Sequence, residues 1–153
     1  MLLLLVIVLQ TVVFSRLPFF NVTPDIMLVL VVCYAVVEQT EMAFAAAALV
    51  GLVQDIMGSG IYLNTVSKLL AASVVSTVRE SFLGEEFSLS ALMVAVLTPS
   101  ILLVEAVLLY SVADRSIDWM ILAGRIALTT VYNLLFVPLL LPLVDRAFKE
   151  QRS

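Results

Sequence analysis

Histidine is absent from this 153-residue chain, and cysteine occurs once, as Cys33. Those two shortages exclude an internal disulfide, a Cys-rich metal site, a Cys/His nucleophile pair and a Ser-His-Asp triad. Charge is scarce as well: 8 Lys and Arg stand against 12 Asp and Glu, 13% of the residues, for a net charge of −4. With a pI near 4.6, nucleic acid is a poor partner, and the one basic grouping is a sparse set at the C-terminus, Arg146, Lys149 and Arg152. What the chain has in excess is apolar surface, with 63% hydrophobic residues and a mean hydropathy of +1.16. Soluble globular domains average roughly 45–50% apolar and about 25% charged residues, so an ordinary soluble domain is excluded. At about 20 apolar residues per crossing, this length holds six membrane spans and little else.

The few charged residues punctuate the apolar runs and give their boundaries. The expectation is an all-α integral membrane protein, one transmembrane domain over residues 1–153, with about six spans at 1–15, 20–37, 42–57, 61–78, 89–112 and 119–143. Five spans or a re-entrant segment is the alternative, because the second and third runs are short. Breaks fall at Arg16, at Glu38-Gln39-Thr40-Glu41, at the Gly58-Ser59-Gly60 turn, at the polar stretch 79–86 and at 113–118. Phe19, Phe20 and Trp119 are aromatics of the kind that sit at membrane interfaces. Lipid leaves no partner for open sheet edges, and the runs are too long and unalternating for barrel strands. The first run lacks a basic leader and an A-x-A-like cleavage site, so it reads as a retained helix. Arg79, Arg146, Lys149 and Arg152 fall on one side and Arg16 and Arg115 on the other, which puts both termini in the cytoplasm.

Three charges lie inside the runs: Lys68, Glu105 and Arg125. Each costs at least a few kcal/mol in lipid alone, so each is expected to face the bundle interior with a partner. Tracing six alternating spans at 1.5 Å per residue puts all three about 10 Å below the same membrane surface, the side on which Asp25 and Asp55 also fall. Ala43, Ala47, Gly51 and Asp55 recur every fourth residue, a small-residue stripe that leads to the carboxylate. By the same spacing Asn64, Lys68, Ala72 and Ser76 share a face, as do Arg125, Thr129 and Asn133. The expected pairs are Lys68–Glu105 and Arg125–Asp55. The cluster either fixes helix register or holds a ligand or ion. In Thr23-Pro24-Asp25 the threonine can cap, the proline opens the helix and the aspartate sits in the first turn. Asp55 lies at a helix C-terminus, where the dipole disfavours an anion, so a cationic partner is expected. Pro99, Pro138 and Pro142 should kink or end helices.

Pro24-Asp25-Ile26-Met27-Leu28 opening the second run, and Gly51-Leu52-Val53-Gln54-Asp55-Ile56-Met57-Gly58 ending the third, resemble the rod shape-determining protein MreD family over essentially the whole chain. Alanines at 46–48 stand where many relatives have a further glycine. The resemblance implies a six-span protein of the bacterial cell inner membrane that is not an enzyme, uses no cofactor or metal, and belongs to the elongation machinery for lateral peptidoglycan and rod shape. Its implied partners are the membrane-anchored MreC and, through it, MreB, RodA and a class B penicillin-binding protein, with self-association left open. The motif positions are Pro24, Asp25, Gly51 and Asp55, none with an implied catalytic role. The family's bundle also resembles the substrate-binding subunits of energy-coupling-factor vitamin transporters, which keeps a ligand-binding alternative. For the scaffold, the segment 43–48 and the first run are the candidate partner surfaces.

Overall fold

The computed structural model describes residues 22–38, 40–58, 62–113 and 116–152, the last five as helix backbone. The expected first span, 1–15, lies outside the described residues, as do Arg16 and Arg115. Within them the chain forms five helices: α1 (Ile26–Val37), α2 (Thr40–Met57), α3 (Leu63–Ser81), α4 (Glu86–Val112) and α5 (Trp119–Arg152).

The centre of the bundle is α1, which packs against all four other helices and is buried from Ile26 through Val36. Its sequence, IMLVLVVCYAVV, is rich in β-branched residues and would read equally well as a buried strand. Helix wins because in apolar surroundings a lone segment can satisfy its backbone only by bonding to itself. An all-round apolar surface then demands burial on every side. At 12 residues, α1 is about 18 Å long, well short of the roughly 30 Å hydrocarbon core.

Six spans are therefore not met among the described residues. Three helical stretches, Thr40–Met57, Glu86–Val112 and Trp119–Ala147, are long and apolar enough to cross a membrane. The second expected run, 20–37, gives only the short α1. The fourth, 61–78, gives the 19-residue α3, which is long enough but carries Asn64, Ser67, Lys68, Ser76 and Arg79. Apolar side chains point outward from the three long helices, among them Ile56, Leu103, Val104, Leu135 and Leu139. Such a surface suits lipid rather than water, as a membrane protein requires.

The three prolines do not end their helices: Pro99 lies within α4, and Pro138 and Pro142 within α5. Each removes one N–H donor. Neighbouring helices accommodate this in a membrane bundle.

The small-residue stripe of α2 is fully buried. Ala43, Ala47, Gly51 and Asp55 are all buried, so the segment 43–48 offers a partner only its other faces. A Cβ on Gly51 would sit 2.4 Å from Thr65 Cα and 2.9 Å from its backbone nitrogen, so only glycine permits this crossing. Tyr62, at the start of α3, has φ 50°, a left-handed conformation uncommon for a bulky residue.

Candidate functional site

The polar residues converge at one end of the bundle, where α1 and α3 begin, α2 ends, and the C-terminal half of α4 meets the N-terminal half of α5. Asp25 is the N-cap of α1 rather than a first-turn residue. Its Oδ1 accepts from the Leu28 N–H at 3.0 Å, and its own backbone N–H donates to Asn133 Oδ1 at 2.9 Å. Its Oδ2 receives the Lys68 ammonium at 2.8 Å, and Lys68 is wholly buried. Lys68 also donates to Asn64 Oδ1 at 3.3 Å, one turn back on α3. Asn133, itself fully buried, donates through Nδ2 to Thr98 Oγ1 at 3.1 Å, which ties α5 to α4. Pro24 is buried immediately before the cap.

The expected Lys68–Glu105 pair is thus not formed, because the helix-capping carboxylate of Asp25 takes the ammonium. Glu105, half-buried, instead accepts from the Ser67 hydroxyl at 3.0 Å. The expected Arg125–Asp55 pair is also absent. Arg125 is exposed, not turned inward, and forms no ion pair among the described residues. Asp55 meets the positive end of a helix in place of a cation. Its Oδ1 accepts from the Asn64 backbone and side-chain N–H groups at 3.1 and 3.0 Å, and its Oδ2 from the Thr65 N–H and hydroxyl at 2.8 and 2.6 Å. The N-cap position of α3 is Tyr62, which has no side-chain acceptor bond to give. Asp55, from the end of the preceding helix, supplies the cap in its place and satisfies backbone donors that would otherwise be orphaned.

Next to this junction is a cavity of about 380 Å³. Its polar wall includes Asp25, Gln54, Asn64, Glu105, Asp118 and Arg125, and Leu102, Leu109, Ile121 and Ile126 are among its apolar residues. Gln54 Oε1 is buried without a hydrogen-bond partner among the described residues. Asp118 caps α5, accepting from the Met120 and Ile121 N–H groups at 3.1 and 3.2 Å. No group of three or more Asp, Glu or Cys among the described residues is arranged to hold a metal ion.

At the opposite end of α1, the Arg79 guanidinium donates to the carbonyls of Ala35 at 3.2 Å and Glu38, with Val36 at 3.5 Å. Lys68 and Arg79, both on α3, therefore hold the two ends of α1. Sequence reasoning missed Thr65, Thr98, Gln54 and this use of Arg79. Thr65 and Thr98 carried a readable signal, since each is a hydroxyl beside a helix-start or proline position, but their partners depend on tertiary placement.

No protein-family model, no curated protein and no solved structure matches the chain.

Proposed function

We propose that this chain is a non-enzymatic scaffold subunit of a bacterial cell-elongation machinery, seated in the inner membrane with both termini cytoplasmic. In this role it binds MreC and, through it, helps organise MreB, RodA and a class B penicillin-binding protein during lateral peptidoglycan synthesis. The observation that carries the reading is that the motif residues are engaged in holding helices together. Both carboxylate oxygens of Asp25 are bonded, to Leu28 and Lys68, and both of Asp55, to Asn64 and Thr65. Gly51 lies against the α3 backbone. Groups so committed give a rigid bundle rather than a reacting centre. The outward apolar faces of α2, α4 and α5 offer partner helices a surface.

The cavity beside the junction favours a second reading, a substrate-binding membrane subunit of a small-molecule transporter of the vitamin type, since its volume falls within the range of small-ligand sites. Affinity capture of the full chain from native bacterial membranes separates the two. Recovery of a single-span MreC-like protein with wall-synthesis enzymes is the scaffold outcome. Recovery of paired ATPases without them would replace it with the transport reading. Depletion of the scaffold should also round a rod-shaped cell, and unchanged shape would count against it.

A further inference from the structure

Glu105 on α4 and Arg125 on α5 carry opposite charges and line the same cavity, yet neither forms an ion pair among the described residues. Burying an acid without a cation costs free energy, and Glu105 is half-buried with the Ser67 hydroxyl as its one hydrogen-bond donor among the described residues. Asp25 and Asp118, the other acids on the wall, are already bonded, to Lys68 and to the first turn of α5.

We infer that the cavity binds a small zwitterion that has a primary ammonium at one end and an anionic phosphate or carboxylate at the other. The ammonium faces Glu105, and the anionic end faces the Arg125 guanidinium. A lone anion would leave Glu105 with the Ser67 hydroxyl alone, and a lone cation would leave Arg125 without an anion from the described residues. A primary ammonium has three N–H donors to offer the Glu105 carboxylate, whereas a quaternary ammonium has none. Arg125, with its planar fork of donors, suits a phosphate or carboxylate. The cavity's volume of about 380 Å³ exceeds what the zwitterion alone fills, and the apolar residues Leu102, Leu109, Ile121 and Ile126 give room for a greasy attachment. The same chemistry occurs in an ethanolamine phospholipid headgroup and in a free amino-phosphate. The inference is independent of the scaffold role: it stands or falls on binding alone.

The test uses the full chain purified in detergent. Phosphatidylethanolamine and phosphatidylcholine of matched acyl chains are added, as are soluble phosphoethanolamine and phosphocholine, with retention read by native mass spectrometry and by the shift in thermal midpoint. The ethanolamine forms should bind about tenfold more tightly than their choline counterparts, and Glu105→Gln and Arg125→Gln should each lose about tenfold, the scale of one charge-assisted contact. Arg125→Lys should recover part of the loss. Because Arg125 is exposed and has no ionic partner among the described residues, R125Q tests the site even if E105Q fails to fold. Retained phosphatidylethanolamine that excess phosphoethanolamine does not displace identifies the source as lipid. Equal binding of phosphoethanolamine identifies a free zwitterion. Equal affinity for ethanolamine and choline forms, no binding of either, or binding indifferent to R125Q overturns the proposal.

Discussion

Between α2 and α3 the backbones approach so closely that a methyl group on Gly51 has no room, whereas a methyl on Gly124 of α5 would meet nothing within 4 Å. The first pair is joined by backbone contact and by one carboxylate, Asp55, that caps the facing helix. The second pair is joined lower down, through Asn133 and Thr98, and through buried Val137, Leu140 and Val144, which face the core. Above that point the start of α5 is largely exposed, and the cavity lies between it and the neighbouring helices. The α1–α3 half therefore has few alternative packings, while the upper part of α4 and α5 can change its separation at small cost. Stability should depend on the first region and adaptability on the second.

The strongest way to break that contrast is Lys68→Ala. It leaves Asp25 without its ammonium in a largely buried setting, and removing one member of such a pair costs about 3–5 kcal/mol. Loss of monodisperse folded protein in detergent is the expected readout. A double-mutant cycle should show strong coupling between Lys68 and Asp25 and a smaller interaction between Lys68 and Glu105; the reverse ranking would refute the assignment of partners. Next comes Gly51→Ala, which forces α2 and α3 apart and should cost up to about 3 kcal/mol by overpacking, seen as a lowered thermal midpoint. Asp55→Ala should cost about 2 kcal/mol, the upper end for losing a helix cap, while Asp118→Ala on exposed α5 should cost roughly 0.5–1 kcal/mol. The smallest effect has the opposite sign. Gly124→Ala should raise stability by about 0.5–1 kcal/mol, because the helix gains propensity and meets no obstacle. A destabilised G124A protein, or an unaffected G51A one, would erase the distinction between the two halves.

Much of the site's location was legible in the sequence, and little of its pairing. Residue counts along alternating spans bring Asp25, Asp55, Lys68 and Glu105 to one end of the bundle, and helical spacing puts Asn64 on the face of Lys68. Pairing depends on helix rotation and on backbone donors, which residue spacing does not report. Asp55 shows this best. Its position at a helix C-terminus suggested a cation, but the start of α3 offers four N–H and O–H donors and lacks a cap of its own. Arg125 shows the limit from the other side, since a charge in an apolar run need not turn inward when it lies near the end of a long helix that opens onto a cavity. For the fold, helical character was readable from apolar runs, but a run of 18 residues shrank to the 12 of α1 because Asp25 starts the helix late. Hydropathy counts apolar residues and does not distinguish a helix that touches lipid from one enclosed by its neighbours.

The grip of α3 on α1 has a consequence for how the chain is made. Lys68 and Arg79 are 11 residues apart, about 16 Å along a helix, close to the roughly 18 Å length of α1. During synthesis α1 leaves the ribosome before α3 exists, too short to cross the bilayer and with both termini lacking their final partners. Its integration should therefore wait for α3, so that α1 to α3 enter the membrane as one unit rather than helix by helix. Glycosylation mapping of nascent chains halted before and after residue 81 would detect this as a late, joint commitment, and stable insertion of α1 in chains halted before Leu63 would contradict it.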